Sequence, residues 1–555
     1  MAAVGHRPVP VAVMVVAATV IVAVRHPATL VVGVAVVSSG LAARAHAGLD
    51  PVAAGPCRAV VTLVSDPAPT PFGWRADVRL GHRRLELSAS DAAGGALSQA
   101  LTGEHVRVEG RVAPPRPDSP WLVPRHVVGR IDASTVERVD AGSPPWRAAN
   151  RFRRLLQHGA ATMADPQRSL YAGFVLGDDR DQQPEIVDDF RGAGLTHLLV
   201  VSGQNVAFVL VLVSPISSRL GWRGRWVVTL VVIAVFGVVT RFEPSVLRAS
   251  AMAAVAVTAG AVGRPSGAVR TLALAVTGLI LVDPLLVEAT GFRLSVGASL
   301  AIAVLAHRIS AALPGPRLLA EAVAVTLAAQ FGVAPVLVPL AGGLPVVSLL
   351  ANPVAVPVAG LVTTWGLPAG VAAGLGGPTV AAVVHLPTEL MVRWVAMVAR
   401  VSASAPLGAL GWPHLGALAV ALALATRAPP MRLLALPIAL VAVLAPGLAL
   451  RAPPVEQHLP GGIELHRAGG ATVVVAEGTG AADALEGLRR AGVRRIDVLV
   501  VDGRGGGDLA RVLRHRWVVG RMIDASSAVK LRFRVGRLLV TVAPPAVPAV
   551  QVLPP

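Results

Sequence analysis

Apolar and polar positions change rhythm several times along the chain. Residues 9–24 and 28–43 are apolar runs separated by Arg25-His26-Pro27, each near the lower limit of about 17–25 residues for a spanning helix. They predict a transmembrane hairpin over 1–48. A cleaved signal sequence fits poorly, because its apolar core of about 7–15 residues would end at a small-residue cleavage site, whereas a second apolar run follows at once. Over 49–142 the period becomes two. CRAVVTLVSD, WRADVRLG, HRRLELSAS, HVRVEGRV and PRHVVGRIDAS, separated by Pro, Gly, Asp and Ser clusters, predict five strands of a small barrel or sandwich. Over 143–166 a helix is expected with Trp146, Phe152, Leu155 and Leu156 on one side and Arg147, Arg151, Arg153 and Arg154 crowding the rest. Its simplest place is the lipid interface, with the arginines among headgroups; a DNA backbone is the alternative.

From 167 to 452 apolar runs follow one another. With the hairpin they predict ten to twelve spans of about 20 residues each, so the fold class expected is a polytopic α-helical membrane protein. Pro335, Pro339, Pro353, Pro357 and Pro368 interrupt these runs, and 345–376 is long enough for a broken or re-entrant pair. Over 453–555 strand and helix patterns alternate, predicting an α/β domain.

Composition supports this division. Of 555 residues 54% are apolar and 15% charged, against about 25% charged in soluble proteins. A single soluble enzyme, a disordered chain and a fibrous repeat are excluded. Cys57, the sole cysteine, excludes a disulfide-stapled fold. The net charge is +18, and every basic residue but Lys530 is arginine. Basic cytoplasmic loops explain such an excess; a field that attracts polyanions is the sharper reading. The barrel region adds nothing to it, with eleven arginines against eleven acidic residues between Asp50 and Asp140. Five strands suit an OB-like barrel, a frequent nucleic-acid binder. Of its aromatics only Phe72, Trp74 and Trp121 are able to stack on bases, and isolated aromatics are more often packed core, so binding there stays open.

The candidate chemistry lies in polar residues within or beside apolar runs: Ser202-Gly203-Gln204-Asn205, Arg248, Glu288, Arg293, Glu321, Gln330 and Asn352. An ionisable group there costs at least about 2.5–3.5 kcal/mol, so it faces a partner or a pathway. Interhelical hydrogen bonding suits Gln330 and Glu321; a pathway suits the dense 202–205 cluster. An intramembrane serine protease is disfavoured, since Ser202 lacks the glycine two positions earlier. The acidic run Asp178, Asp179, Asp181, Glu185, Asp188, Asp189 matches no metal-ligand spacing and reads as a solvated loop and helix start. The glycine run from Asp502 to Asp508 lacks the third glycine of a dinucleotide fingerprint and the Gly-Lys-Ser/Thr of a phosphate loop.

LYAGFVLGDDRDQQPEIVDDFRGAGLTHLLVVSGQNVAFV (170–209), PSVLRA (244–249), DPLLVEATGFRLSVGASLAI (283–302) and PVVSLLANPVAVP (345–357) resemble, in order, four motifs of the ComEC family of DNA-uptake channel proteins. The resemblance covers roughly 145–410. It implies a multi-pass inner-membrane channel that passes single-stranded DNA to the cytoplasm during natural transformation, alongside a DNA receptor and a cytoplasmic helicase or motor. Asp178, His197, Ser202, Gly203, Asn205, Arg248, Gly291, Arg293 and Asn352 occupy motif positions on a polar, partly hydrated path. Asn205 stands where many members have histidine, and Arg293 where many have glutamine. The family's layout also implies both soluble domains on the outer face and a metallo-β-lactamase-type C-terminal domain. Here the metal loop is replaced by Asp502 and Asp508 without a histidine, which implies a truncated, degenerate, catalytically silent domain with neither metal nor other cofactor. The alternatives are a transporter of another polar or lipid-linked solute on the same scaffold, and a membrane-anchored nuclease, against which the missing ligands argue.

Overall fold

The computed structural model describes residues 27–555 apart from 71, 117–118, 406, 426–428, 450–455, 460–461, 469, 478–479, 494, 503–505, 526–530, 544–545 and 553–555. The first half of the expected hairpin lies outside the described residues, and the second half is the helix Pro27–Ala47.

All five strands expected in the N-terminal β region are present: β1 (Gly55–Leu63), β3 (Gly73–Leu80), β4 (Arg83–Ala89), β5 (His105–Ala113) and β6 (Val127–Asp140), with a short β2 (Ala68–Thr70). The order is β1-β5-β6-β4-β3-β2, and a two-pair ladder from Thr62 and Leu63 of β1 to Arg79 and Val78 of β3 closes the sheet on itself. β4 and β6 are parallel, and the other ladders are antiparallel. Alternation puts Val61, Leu63, Val78, Leu85, Leu87, Val106, Val108 and Ile131 into one core, as period two requires. Of the three aromatics, Trp74 packs against that core, while Phe72 and Trp121 are exposed rather than packed.

Most of the chain is helical. Five helices are long and apolar enough to cross a membrane: Trp222–Val239, Pro244–Ala261, Thr290–Ala312, Arg317–Ala341 and Ser348–Val384. Shorter apolar helices cover Val32–Ala47, Gly203–Ser217, Ala268–Val282, Trp412–Ala425 and Leu434–Gly447. Length and composition therefore reach the ten to twelve spans expected only in part. Three expectations for these segments change. The run 345–376, expected as a broken or re-entrant pair, is helical without interruption from Ser348, and the break falls just after it, where a kink at Gly377 (φ 79°) divides Ser348–Val384 into two helical stretches. Pro335, Pro339, Pro353, Pro357 and Pro368 all sit inside helices, which is tolerated where neighbours pack around the freed backbone. The run from 195 is broken instead, because a 3₁₀ turn, Thr196–Leu198, and an extended stretch precede the helix that starts at Gly203.

The basic helix, Pro144–Gly159, does not lie loose in the interface. It packs on Ser348–Val384 through glycines. A Cβ on Gly159 would stand 2.7 Å from the Gly370 carbonyl, and one on Gly374 would meet the Leu155 carbonyl at 2.5 Å. Such small-residue crossings let helix backbones approach where lipid offers no hydrophobic drive.

Within the bundle two short strands, β7 (Leu344–Pro345) and β8 (Ala409–Leu410), pair antiparallel. In the C-terminal domain β9 (Glu456–Leu459), β10 (Ile463–Ala468), β11 (Ala471–Glu477), β12 (Arg495–Asp502) and β13 (Val518–Asp524) form a sheet of order β13-β12-β11-β10-β9. β11, β12 and β13 run parallel. The helices Ala481–Arg490 and Gly506–Arg516 cover one face through Leu485, Leu488, Leu509 and Leu513. A second sheet, β14 (Leu531–Val535), β15 (Leu538–Ala543) and β16 (Ala546–Val552), covers the other through Val473, Val475, Val498 and Val540. The α/β expectation for this region fits that layering.

Candidate functional site in the membrane bundle

Three segments singled out in the sequence meet at one place. Ser202 precedes the first turn of Gly203–Ser217, and its hydroxyl donates to Asn205 Oδ1 at 3.2 Å. Asn205 is buried and donates in turn to the Phe174 carbonyl at 2.8 Å. The Ser245 hydroxyl, in the first turn of Pro244–Ala261, donates to the Val201 carbonyl at 2.9 Å. Arg248, one turn further on, donates through Nε to Ser295 Oγ at 2.6 Å and through Nη1 to Met252 Sδ at 3.0 Å. Gly203 makes this crossing possible, because a Cβ there would stand 2.6 Å from Arg248 Nη2 and 2.9 Å from the Ala249 Cβ. A Cβ on Gly291 would reach the Pro244 Cβ at 4.0 Å. Among the described residues no carboxylate stands within ion-pair distance of Arg248, so its charge is met only by neutral acceptors.

Beside this knot is a crevice lined by Phe174, Ser202, Asn205, Phe208 and Gly360, with a cavity volume of about 10 Å³. That is room for about one water molecule. This crevice therefore admits nothing of nucleotide size in this conformation.

The remaining expected residues go elsewhere. His197 is exposed on the 3₁₀ turn. Arg293 is exposed and donates to the Glu288 carbonyl of its own segment at 2.8 Å. Asn352 donates to the Ser348 carbonyl one turn back at 2.9 Å. Gln330 does join two helices, through the Ser348 hydroxyl, whereas Glu321 pairs with Arg317 on its own exposed helix face. Asp502 ends β12 and Asp508 lies in Gly506–Arg516; their side chains and residues 503–505 are outside the described set. Among the described residues no group of three His, Cys, Asp or Glu is arranged to hold a metal ion.

Asp178 belongs to a second, buried cluster that the sequence did not reveal. Arg153, 1% exposed, donates to the carbonyls of Leu176 (2.8 Å) and Val239 (3.0 Å) and pairs with Asp66 (3.1 Å) and Asp178 (3.3 Å). Arg180 pairs with Asp178 through two nitrogens, and Gln157 donates to it at 2.8 Å. Arg241, with φ at 60°, reaches Asp66 at 3.1 Å and Asn150 at 2.8 Å; a non-glycine residue there stores backbone strain that these bonds must hold. Burial works against ionising Asp66, yet the Arg153 and Arg241 guanidiniums and the Thr102 amide hold its carboxyl well below the usual range. Asp178 behaves alike, with burial overcome by Arg180 and Arg153. The cluster joins the barrel (Asp66, Thr102) to the bundle. It corrects the placing of Arg153 among lipid headgroups, since a fixed guanidinium with four acceptors outweighs an interfacial position. Arg154 is likewise paired, with buried Glu104, while Arg147 and Arg151 are exposed.

The acidic run also needs correction. Asp188 and Asp189 are 2% and 4% exposed, and they pair with the C-terminal domain: Arg489 with Asp188 at 3.1 Å, Arg516 with Asp189 at 3.0 Å. Arg191 adds a pair with Glu486 at 2.8 Å. Asp188 and Asp189 form an interdomain clamp, while Asp179 and Asp181 are exposed in the loop and Glu185 lies in the first turn of the helix Pro184–Gly192, as expected. Nothing in the periodicity marked Asp66, Arg241, Ser245 or Ser295, whose partners lie far away in the chain.

Apolar helices packed around buried polar groups define a membrane protein. Residues 174–450 match the family model described as Competence protein, and the chain belongs to that family, the ComEC-type competence proteins, with a role in DNA uptake. No curated protein and no solved structure matches the chain.

Proposed function

We propose that the chain is a multi-pass channel protein of the inner membrane that carries one DNA strand into the cytoplasm during natural transformation. The observation that carries this reading is Arg248: a guanidinium inside the bundle, held by Ser295 and Met252 and without a carboxylate partner among the described residues. A half-buried cation between apolar helices costs free energy unless it meets a partner or a pathway, and a phosphodiester is the anion that a planar guanidinium fits. Ser202, Ser245 and Asn205 add neutral donors and acceptors, and Gly203, Gly291 and Gly360 give clearance. With the crevice at one water in volume, passage requires Gly203–Ser217 and Ser348–Val384 to part, and a DNA receptor and a cytoplasmic motor would supply and draw the strand. The β domain we read as an OB fold: its pairings β1–β3, β3–β4, β4–β6, β6–β5 and β5–β1 close five strands, with the helix Asp91–Ser98 between β4 and β5. The C-terminal domain we read as a silent remnant of a metallo-β-lactamase-like domain, supported by its helix-sheet-sheet layering and by Asp502 and Asp508 standing where a histidine-rich loop is expected.

The test compares transformation by linear DNA in cells carrying wild-type, Arg248→Gln and Arg248→Lys chains. Loss of a charge-assisted bond worth about 1.5–3 kcal/mol predicts a fall of about 10–100-fold for Arg248→Gln, partial activity for Arg248→Lys, and unchanged surface binding of radiolabelled duplex. Internalised label equal to wild type in the Arg248→Gln strain would sink the reading.

A further inference from the structure

Where the barrel meets the ends of two apolar helices there is a basic cavity of about 440 Å³, within the range of ligand pockets, about 300–1,000 Å³. Arg44, in the last turn of Pro27–Ala47, borders it from the bundle, and Arg83 and Arg84, which open β4, border it from the barrel. Its one carboxylate is Asp283, just past the end of Ala268–Val282, and this is already taken by His126 Nε2, 3.0 Å from both oxygens. Among the described residues Arg83 donates to the Asp50 carbonyl and Arg84 to the Arg125 carbonyl, each at 3.4 Å. No carboxylate pairs with any of the three arginines among the described residues. Burial and the neighbouring Arg79 push the Arg84 guanidinium down from its ordinary value, and the more distant Asp77 and Asp283 offset this only in part.

The cavity's level in the molecule says what fills it. Two apolar helices end at it, so it sits where the hydrocarbon would stop. Val282 at its rim is 85% exposed and Trp121, on the turn packed against Pro284–Glu288, is 55% exposed. An exposed aliphatic beside an exposed tryptophan at the end of a span is the pattern of the lipid–water boundary. We infer that this cavity binds the phosphate headgroup of an anionic glycerophospholipid, with Arg44, Arg83 and Arg84 around the phosphate and the acyl chains running down past Val282. Lipid bound there would tie the barrel to the bundle on the side opposite in sequence to the Asp66 cluster, in the manner of basic pockets between membrane helices.

The experiment uses the full chain in detergent, titrated with phosphatidylglycerol or phosphatidylcholine and read by native mass spectrometry. Wild type is expected to retain phosphatidylglycerol in preference to phosphatidylcholine. Arg83→Gln/Arg84→Gln is expected to lose that preference by about fivefold per arginine, from about 1 kcal/mol for each charge near the surface. Arg44→Gln, on the separate helix, gives the same answer should the barrel variant fail to fold. Equal retention of phosphatidylglycerol by wild type and by Arg44→Gln overturns the proposal. So does complete displacement of the lipid by inorganic phosphate or a short deoxyoligonucleotide at concentrations that leave the micelle intact, which would assign the cavity to a soluble phosphate or to DNA.

Discussion

Arg153 is the side chain on which the barrel-to-bundle junction turns. It satisfies two helix-end carbonyls and two carboxylates from separate parts of the chain, and only a guanidinium supplies that many donors in one plane. Removing it leaves Asp66 and Asp178 buried against each other without their shared cation. Breaking a buried pair from one side costs about 3–5 kcal/mol, so Arg153→Met is expected to lower the thermal midpoint of the detergent-solubilised chain markedly, and Arg153→Lys to recover only part. The same residues fix a pH dependence. Asp66 and Asp178 have lowered pKa values in the folded state against about 3.9 unfolded. Their contribution is thus complete above about pH 4 and is lost as pH falls toward their folded values, where the unfolded chain binds protons first. Thermal midpoints should be flat in this respect from pH 8 to 5 and fall below 4, more steeply for wild type than for Asp66→Asn. Parallel acid profiles for the two would refute the assignment.

At the scale of elements, the crossing of Pro144–Gly159 over Ser348–Val384 depends on Gly370 and Gly374, with Gly366 one turn earlier on the same face leaving room for Tyr171. Tyr171 seals it by donating to the Gly366 carbonyl at 2.9 Å, and a Cβ on Gly370 would overlap the tyrosine hydroxyl. Overpacking costs about 1–3 kcal/mol, so Gly370→Val is expected to destabilise by that amount and to abolish disulfide cross-linking between cysteines placed at 155 and 374; an unaltered cross-linking yield would count against the crossing. The helix itself was legible in its amphipathic spacing, and so were the barrel strands in their alternation. What covers the helix was not, because Trp146, Leu155 and Leu156 look alike whether they face lipid or another helix. Continuity through Pro353, Pro357 and Pro368 was hidden for a related reason. Local propensity ends a helix at proline, and only surrounding helices that pack against the freed backbone reverse that outcome.

For the whole molecule, the two extramembrane domains are anchored to one short stretch of chain. The barrel is tied through Asp66 and Arg153 to Asp178, and the C-terminal domain through Arg489 and Arg516 to Asp188 and Asp189. Ten positions separate Asp178 from Asp188, and only those from Pro184 on belong to the helix Pro184–Gly192. Even with the first six fully extended at about 3.6 Å each and the last four helical at about 1.5 Å, this stretch spans at most about 28 Å, short of the roughly 30 Å hydrocarbon thickness, so the two anchors do not stand on opposite faces of the bilayer. Of this arrangement the sequence displayed only the charges. Arginine on one domain and aspartate on another carry no sign of being partners when some three hundred positions lie between them, and an acidic run reads by default as a wet loop. The consequence is open to labelling. Cys57 is buried, so in a Cys57→Ala background single cysteines at the exposed positions Arg58 of the barrel and Arg495 of the C-terminal domain report each domain separately. A membrane-impermeant maleimide added to sealed, right-side-out vesicles should modify both or neither. Labelling of one alone would place the domains on opposite faces and dissolve the clamp at Asp188 and Asp189 as a feature of the membrane-embedded protein.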